Sequence, residues 1–162
     1  MSSVDLSIPG LVFRHFRGES DYPIIASLIA VCKEYDHVER TITVEEVTRT
    51  YTHLTNCDPV QDVLFAEVAG QPVGYCRNWW FQELEGPWLG SLYGVILPAW
   101  RRKGIGGFLA RHAEQRLHEI AAELEAAGTL QPGSPRFLTV EINSSEVDRT
   151  AMFEKFGYQP VR

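Results

Sequence analysis

The chain has 162 residues, a length that suits one domain on the usual scale of roughly 100 to 200 residues. Hydrophobic residues make up 44% and charged residues 22%, ordinary globular proportions that exclude disordered, collagen-like and fibrous classes. Fifteen Lys and Arg against 21 Asp and Glu leave a net charge of -6, which argues against general nucleic-acid binding, because phosphate affinity needs clustered cations.

Leu11 to Arg17 alternates as a strand does, and Glu19 to Tyr35 then places Ile24, Ile25, Leu28, Ile29 and Cys32 at helical spacing. Thr43 to Leu54 reads as a second helix with Thr41 or Thr43 as its N-cap and Asn56 to Pro59 as its exit. Val63 to Val68 and Pro72 to Glu83, joined through Gly70-Gln71, predict an antiparallel hairpin. Leu89 to Leu97 adds a third consecutive strand that stops at Pro98. Gly104 to Ala126 is the strongest helix, with Ile105, Phe108, Leu109, Ala113, Leu117, Ile120, Ala121 and Leu124 on one face. Ala127 to Pro135 reads as a loop, Phe137 to Ile142 as a strand, Ser145 to Phe156 as a short helix and Tyr158 to Val161 as the start of a last strand. The order β-α-α-β-β-β-α-β-α-β predicts an α+β fold with a twisted mixed sheet flanked by helices, in one domain over residues 1–162.

No stretch approaches the roughly 18 apolar residues a membrane span requires, and the N-terminus lacks a basic region followed by an apolar one. The expectation is a cytoplasmic protein that engages neither membrane nor nucleic acid. Cys32, Cys57 and Cys76 have no paired spacing, so neither a disulfide framework nor a metal site is expected. His112 and His118 on the long helix are read as ordinary surface or packing residues, since no metal motif accompanies them.

The chemistry concentrates in Gly94 to Gly107, GVILPAWRRKGIGG, where a strand ends and a helix begins through three glycines. Free N–H groups at a helix start, aided by its dipole, point at a phosphate if no side chain intervenes. Gly104, Gly106 and Gly107 clear that space, while Arg101, Arg102 and Lys103 add cations. A di- or triphosphate group is the expected ligand. The P-loop pattern GxxxxGK[ST] is absent, and the dinucleotide pattern fails because Leu109 stands where a third glycine is needed.

Arg101-x-x-Gly104-x-Gly106 after a strand and a proline, with Phe153-Glu-Lys-Phe-Gly-Tyr158 near the C-terminus, resembles the GNAT superfamily of acyl-CoA-dependent N-acyltransferases. The resemblance covers nearly the whole chain. It implies acetyl transfer from acetyl-CoA to an amine, with Arg102, Lys103, Gly104, Ile105, Gly106 and Gly107 holding the CoA pyrophosphate. It also implies that the backbone of Gly94, Val95 and Ile96 hydrogen-bonds the pantetheine arm, much as an added strand would.

Acyl transfer to an amine requires a base, a stabilised oxyanion and a proton for the departing thiolate. Glu141, inside FLTVEI, is the candidate base, because an apolar strand desolvates a carboxylate; a solvent-facing strand glutamate is the plain alternative. The resemblance points the same way, since relatives such as ribosomal-protein alanine N-acetyltransferases carry a catalytic Glu twelve residues before their motif tyrosine, and Glu141 precedes Phe153 by that interval. Phe153 stands where much of the family has a proton-donating Tyr, so Tyr93, Tyr158 or water inherits that role. Glu146 replaces a frequent CoA-contacting Asn. Trp79, Trp80 and Phe81 place aromatics on both strand faces; one face packs a core, and the other packs or forms an interface or, with Glu83 and Glu85, lines an acceptor cleft for a cationic amine.

With no nucleophilic Cys or Ser beside a base, direct attack in a ternary complex is expected. The acceptor class stays open between a small amine, an antibiotic, an amino acid and a protein N-terminus. The short stretch after Tyr158 predicts half of a tandem protein, or a homodimer in which a partner completes the sheet. The rival reading is a non-catalytic CoA-binding or dimerisation module.

Overall fold

The computed structural model describes residues 6–40 and 42–161. In chain order these form β1 (Leu11–His15), a 3-10 turn (Glu19–Asp21), α1 (Tyr22–Tyr35), α2 (Val44–Thr52), α3 (Pro59–Asp62), β2 (Val63–Val68), β3 (Gln71–Gln82) and β4 (Trp88–Ile96). A 3-10 turn (Pro98–Trp100), α4 (Ile105–Ala126), β5 (Arg136–Thr139) and α5 (Val147–Lys155) complete it.

Local chemistry explains most boundaries. Thr43 caps α2 through a reciprocal box: its Oγ1 accepts from Glu46 N–H at 3.2 Å, and its own N–H donates to Glu46 Oε2 at 3.0 Å. Thr41, the other cap candidate, lies outside the described residues. The segment read as the exit of the second helix instead begins α3, because Asp58 Oδ1 accepts from Val60 N–H at 3.1 Å and Pro59 suits a first helical turn.

The five strands lie in sequence order, antiparallel from β1 to β4 and parallel between β4 and β5, the mixed sheet that the element order implied. α4 and α5 cover one face around Leu64, Ala66, Ile105, Leu109, Leu117 and Phe153. α1 and α2 cover the other around Ile25, Leu28, Ile29, Val47, Phe65 and Val95. Fully burying a side chain such as Ile105 or Leu117 contributes roughly 1.5–3 kcal/mol, so α4 is anchored from its first residue and cannot drift from the end of β4.

Two expectations about the C-terminal part are corrected. β5 ends at Thr139, not Ile142, because its parallel ladder with β4 stops at Ser91↔Thr139. Residues 158–161 join no strand: the Tyr158 N–H donates to Phe153 O at 3.0 Å, closing α5, and its hydroxyl donates to Glu114 on α4 at 2.9 Å. Those two bonds draw the segment onto α4 and away from the sheet.

Candidate functional site

The start of α4 has no side-chain cap and no acid in its first turn. Among the described residues, none of the main-chain N–H groups of Arg102 through Gly107 donates to a backbone or side-chain acceptor; the first bond of the helix is Phe108 N–H to Gly104 O at 3.0 Å. Arg102 (φ 62) and Gly104 (φ 92) both adopt left-handed backbone, which turns successive N–H groups into a common concavity suited to an anion. For a non-glycine residue such as Arg102 this conformation is strained, and strain of this kind gathers at ligand sites. Arg102 and Lys103 are exposed beside it. The donor set therefore fits a diphosphate.

The glycines act differently from the expectation. A Cβ on Gly106 would lie 3.3 Å from Met152 Sδ, and one on Gly107 would lie 3.4 Å from Phe156 Cζ, so their small size lets α5 approach as well as opening the mouth. Arg101 departs further. Its Nη1 and Nη2 donate to both Asp36 oxygens at 2.7 and 2.8 Å, Nη1 donates also to Asp148 at 3.1 Å, and Nε donates to Ile96 O at 2.9 Å. The Asp36 hydrogen bond holds its pKa above the usual arginine value despite burial. Arg101 is a tie between α1, β4 and α5, whereas Arg102, bonded among the described residues only to Asp148 at 2.8 Å, keeps its guanidinium in solvent. That hydrogen bond from Arg102 holds the Asp148 carboxyl below the usual carboxylate range. A cleft of about 840 Å³ lined by Tyr35, Asp36, Pro98, Arg102, Ser145 and Asp148 opens at this point.

Past Ser91, β5 no longer follows β4, so the edge of β4 from Leu92 to Ile96 is unpaired on that side. Leu97 N–H donates to Val73 O at 2.8 Å, and antiparallel alternation then aims odd-numbered residues of β4 at β3 and even-numbered ones at the gap. Gly94 and Ile96 therefore face the gap, and Val95, one of the three expected pantetheine contacts, faces β3. Ile96 O is already taken by Arg101 and by the Cys32 thiol at 3.3 Å. A Cβ on Gly94 would stand 2.5 Å from Tyr75 O, so the close approach it allows is to β3.

Tyr93 lies one residue before that glycine, its ring under the Arg149 guanidinium at 5.2 Å and edge-on to Tyr75 at 6.3 Å. Burial pushes the Tyr93 phenol up to about 12, so it stays a proton donor at neutral pH. Arg149 Nη1 donates to Glu146 at 2.8 Å, and its Nη2 is buried with no partner, the kind of orphan donor that natural structures rarely tolerate without a use. Glu141 is exposed, two residues beyond the end of β5, not inside an apolar strand as expected. Burial pushes Cys76 and Cys57 up to about 12 and raises Cys32, which leaves no thiol suited to act as a nucleophile near neutrality. Among the described residues no cluster of His, Cys, Asp and Glu could hold a metal, and no helix is long and apolar enough to cross a membrane.

The Acetyltransferase (GNAT) domain pattern matches residues 59–160, well over half of the chain, including β4, the start of α4 and α5. The chain belongs to the GNAT acetyltransferases. No curated protein matches it in sequence, but many solved structures share the fold. One is a GCN5-related N-acetyltransferase from Sphaerobacter thermophilus, with 25% identity and a TM-score of 0.76 over 94% of this chain and 44% of that one. The present chain thus spans less than half of that protein's length. An aminoglycoside acetyltransferase from an uncultured soil metagenomic sample, in complex with trehalose, matches at 16% identity and a TM-score of 0.63 over 94% and 93% of the two chains. Naa50 of Arabidopsis thaliana, in complex with the bisubstrate analogue CoA-Ac-MVNAL, matches at 12% identity and 0.62 over 94% and 85%.

Within this GNAT domain, Phe153 is 4% exposed and packs edge-on against Tyr158 at 5.0 Å and Phe156 at 6.3 Å. It is a core residue. Tyr158 is committed too, since burial and its bond to Glu114 raise the phenol well above its usual range. Glu146 accepts from Asn143 N–H at 2.7 Å and from Arg149. Burial would raise its pKa, but Arg149 and that N–H outweigh burial and hold it below the usual value, so it organises the start of α5. Glu83 and Glu85 line a separate cleft of about 770 Å³ with Thr129 to Gln131 and Pro135, at the hairpin end of β4 and away from Tyr93. Reasoning from sequence missed Asp36, Arg77, Asp148 and Arg149. Arg149 alone left a signal, standing one helical turn before Phe153 on the same face.

Proposed function

We propose that this GNAT domain transfers an acetyl group from acetyl-CoA to a primary amine by direct attack within a ternary complex. The observation that carries the reading is the run of unsatisfied N–H groups at 102–107, flanked by two exposed cations and continuous with the open edge of β4. These amides grip the diphosphate with Arg102 and Lys103, and the gap-facing groups of Gly94 and Leu92 bond the pantetheine amides. Bound acetyl-CoA supplies an activated thioester beside Tyr93.

As the C–N bond forms, the amine proton leaves through Glu141 and solvent. As the C–S bond breaks, the Tyr93 hydroxyl protonates the thiolate and regains its proton from water. Arg149, over the Tyr93 ring with Nη2 unpartnered among the described residues, adds positive charge beside the thioester, which favours the oxyanion of the tetrahedral adduct. The buried, high-pKa thiols favour direct attack over an acyl-enzyme. Small amines and protein N-termini are the acceptor classes considered, since relatives of this fold act on aminoglycosides or were solved with a peptide-bearing analogue.

The core position of Phe153 favours the second reading, a CoA-binding module without turnover. Thiol release measured across an amine panel separates the two. The transferase reading expects release that falls about a hundredfold in Glu141→Gln while CoA affinity persists; no release with any amine supports the module. Activity lost in Cys76→Ala with the fold intact would overturn direct attack.

A further inference from the structure

We propose that the amine acceptor also carries a carboxylate, and that Arg77 on β3 binds it. The inference rests on the acetyl-transfer reading above and names the acceptor class for that site. Arg77 stands directly across the ladder from Tyr93. Its guanidinium lies 4.7 Å from the Trp79 ring centre and 5.5 Å from that of Tyr51. Two aromatic faces hold the plane of the fork and leave its N–H edge as the reactive side.

No carboxylate pairs with Arg77 among the described residues. The acids of the adjoining α3 are engaged elsewhere: Asp62 binds Arg116 at 2.9 Å, and Asp58 caps its own helix. Glu146, the buried acid near Tyr93, is held by Arg149. Beside the stack, the Tyr51 hydroxyl is buried with no hydrogen-bond partner among the described residues. An unpaired guanidinium fork and an orphan phenol donor at one place present N–H and O–H groups and no acceptor charge, which suits the two oxygens of a carboxylate and repels a second ammonium.

The location decides the rest. The gap beside β4 and the strand β3 lie about one strand spacing, roughly 5 Å, on either side of β4. An acceptor whose amine reaches the gap lays its remaining atoms over Tyr93 toward Arg77. An amino acid or short peptide has that form; a polycationic sugar does not.

The test measures kcat/KM by thiol release for leucine and Leu-Gly against their carboxamides, in wild type, Arg77→Met and Arg77→Lys, with N-acetylleucine binding to the CoA-loaded protein followed by calorimetry. The expected result is a preference for the free acids of about ten- to a hundredfold, collapsing toward unity in Arg77→Met and partly kept in Arg77→Lys, with N-acetylleucine binding lost in Arg77→Met. Equal rates for acids and amides in wild type, or a preference unchanged by Arg77→Met, overturn the carboxylate site and leave acetyl transfer standing. N-acetylleucine binding that depends on Arg77 without turnover of any amine supports the site and overturns the transferase reading. Retained CoA affinity in both variants shows that they fold.

Discussion

The mouth of α4 and the aromatic cluster around Tyr93 are built in opposite ways. The mouth is one continuous run, residues 102–107, exposed, with its main-chain donors unsatisfied and its cations in solvent. The cluster is assembled from α2, β3, β4 and α5, is aromatic and half-buried, and holds charged groups stacked on rings. A grip on a diphosphate needs only a local backbone conformation and solvent access. Control of proton transfer needs desolvated groups brought from distant segments, so the cluster depends on the ties that hold these elements together.

The largest way to break that contrast is to cut the tie between the two regions. Asp36 and Arg101 are 6% and 12% exposed, and removing one partner of such a buried pair costs about 3–5 kcal/mol because the other charge is left unpaired. Asp36→Ala is expected to lower stability by that amount in urea unfolding and to weaken CoA binding as well, since Arg101 fixes the end of β4. A smaller effect separates the regions: Tyr93→Phe is expected to reduce kcat about a hundredfold with the Kd for CoA unchanged, read by steady-state rates and calorimetry. The double variant Arg102→Ala and Lys103→Ala is expected to do the reverse, raising the Kd for CoA about tenfold at low salt and less at high salt, because exposed charges are screened, with little change in kcat at saturation.

The smallest expected effect is alkaline. Cys76 ionises near 9.0 when unperturbed and is pushed up to about 12 by burial. Above the unfolded value the unfolded chain releases a proton that the folded one retains, so stability is fully present below pH 9 and is lost as pH rises toward 12. Between pH 8 and 10 this amounts to about 1 kcal/mol, visible as a lower urea midpoint at pH 10 that is smaller in Cys76→Ala.

Reading the chain in order recovered the mixed sheet because periodicity and turn residues are local: β2, β3 and β4 begin and end within a residue of where alternation placed them. It failed at β5, which leaves β4 after Thr139 while β4 runs on to Ile96, and at Tyr158, where a hydroxyl bond to Glu114 competes with strand pairing. In the site, the uncapped start of α4 and its exposed cations were legible because both backbone and charge lie in one segment. The ion pairs of Arg101 were not legible, because its partners Asp36 and Asp148 are 65 and 47 residues away. Arg77 gave no signal, since a lone strand arginine acquires meaning only when Tyr51 and Trp79 close around it.

By itself the sequence determined the strand and helix periods, the uncapped glycine-rich start of α4 and its cations, because these follow from steric and hydrogen-bonding rules acting over a few residues. Only the tertiary structure decided which charges are consumed by other charges and which remain to meet a ligand. Burial and pairing depend on contacts between segments far apart in the chain, and those contacts exist only once the sheet and its two helical layers have closed on one another.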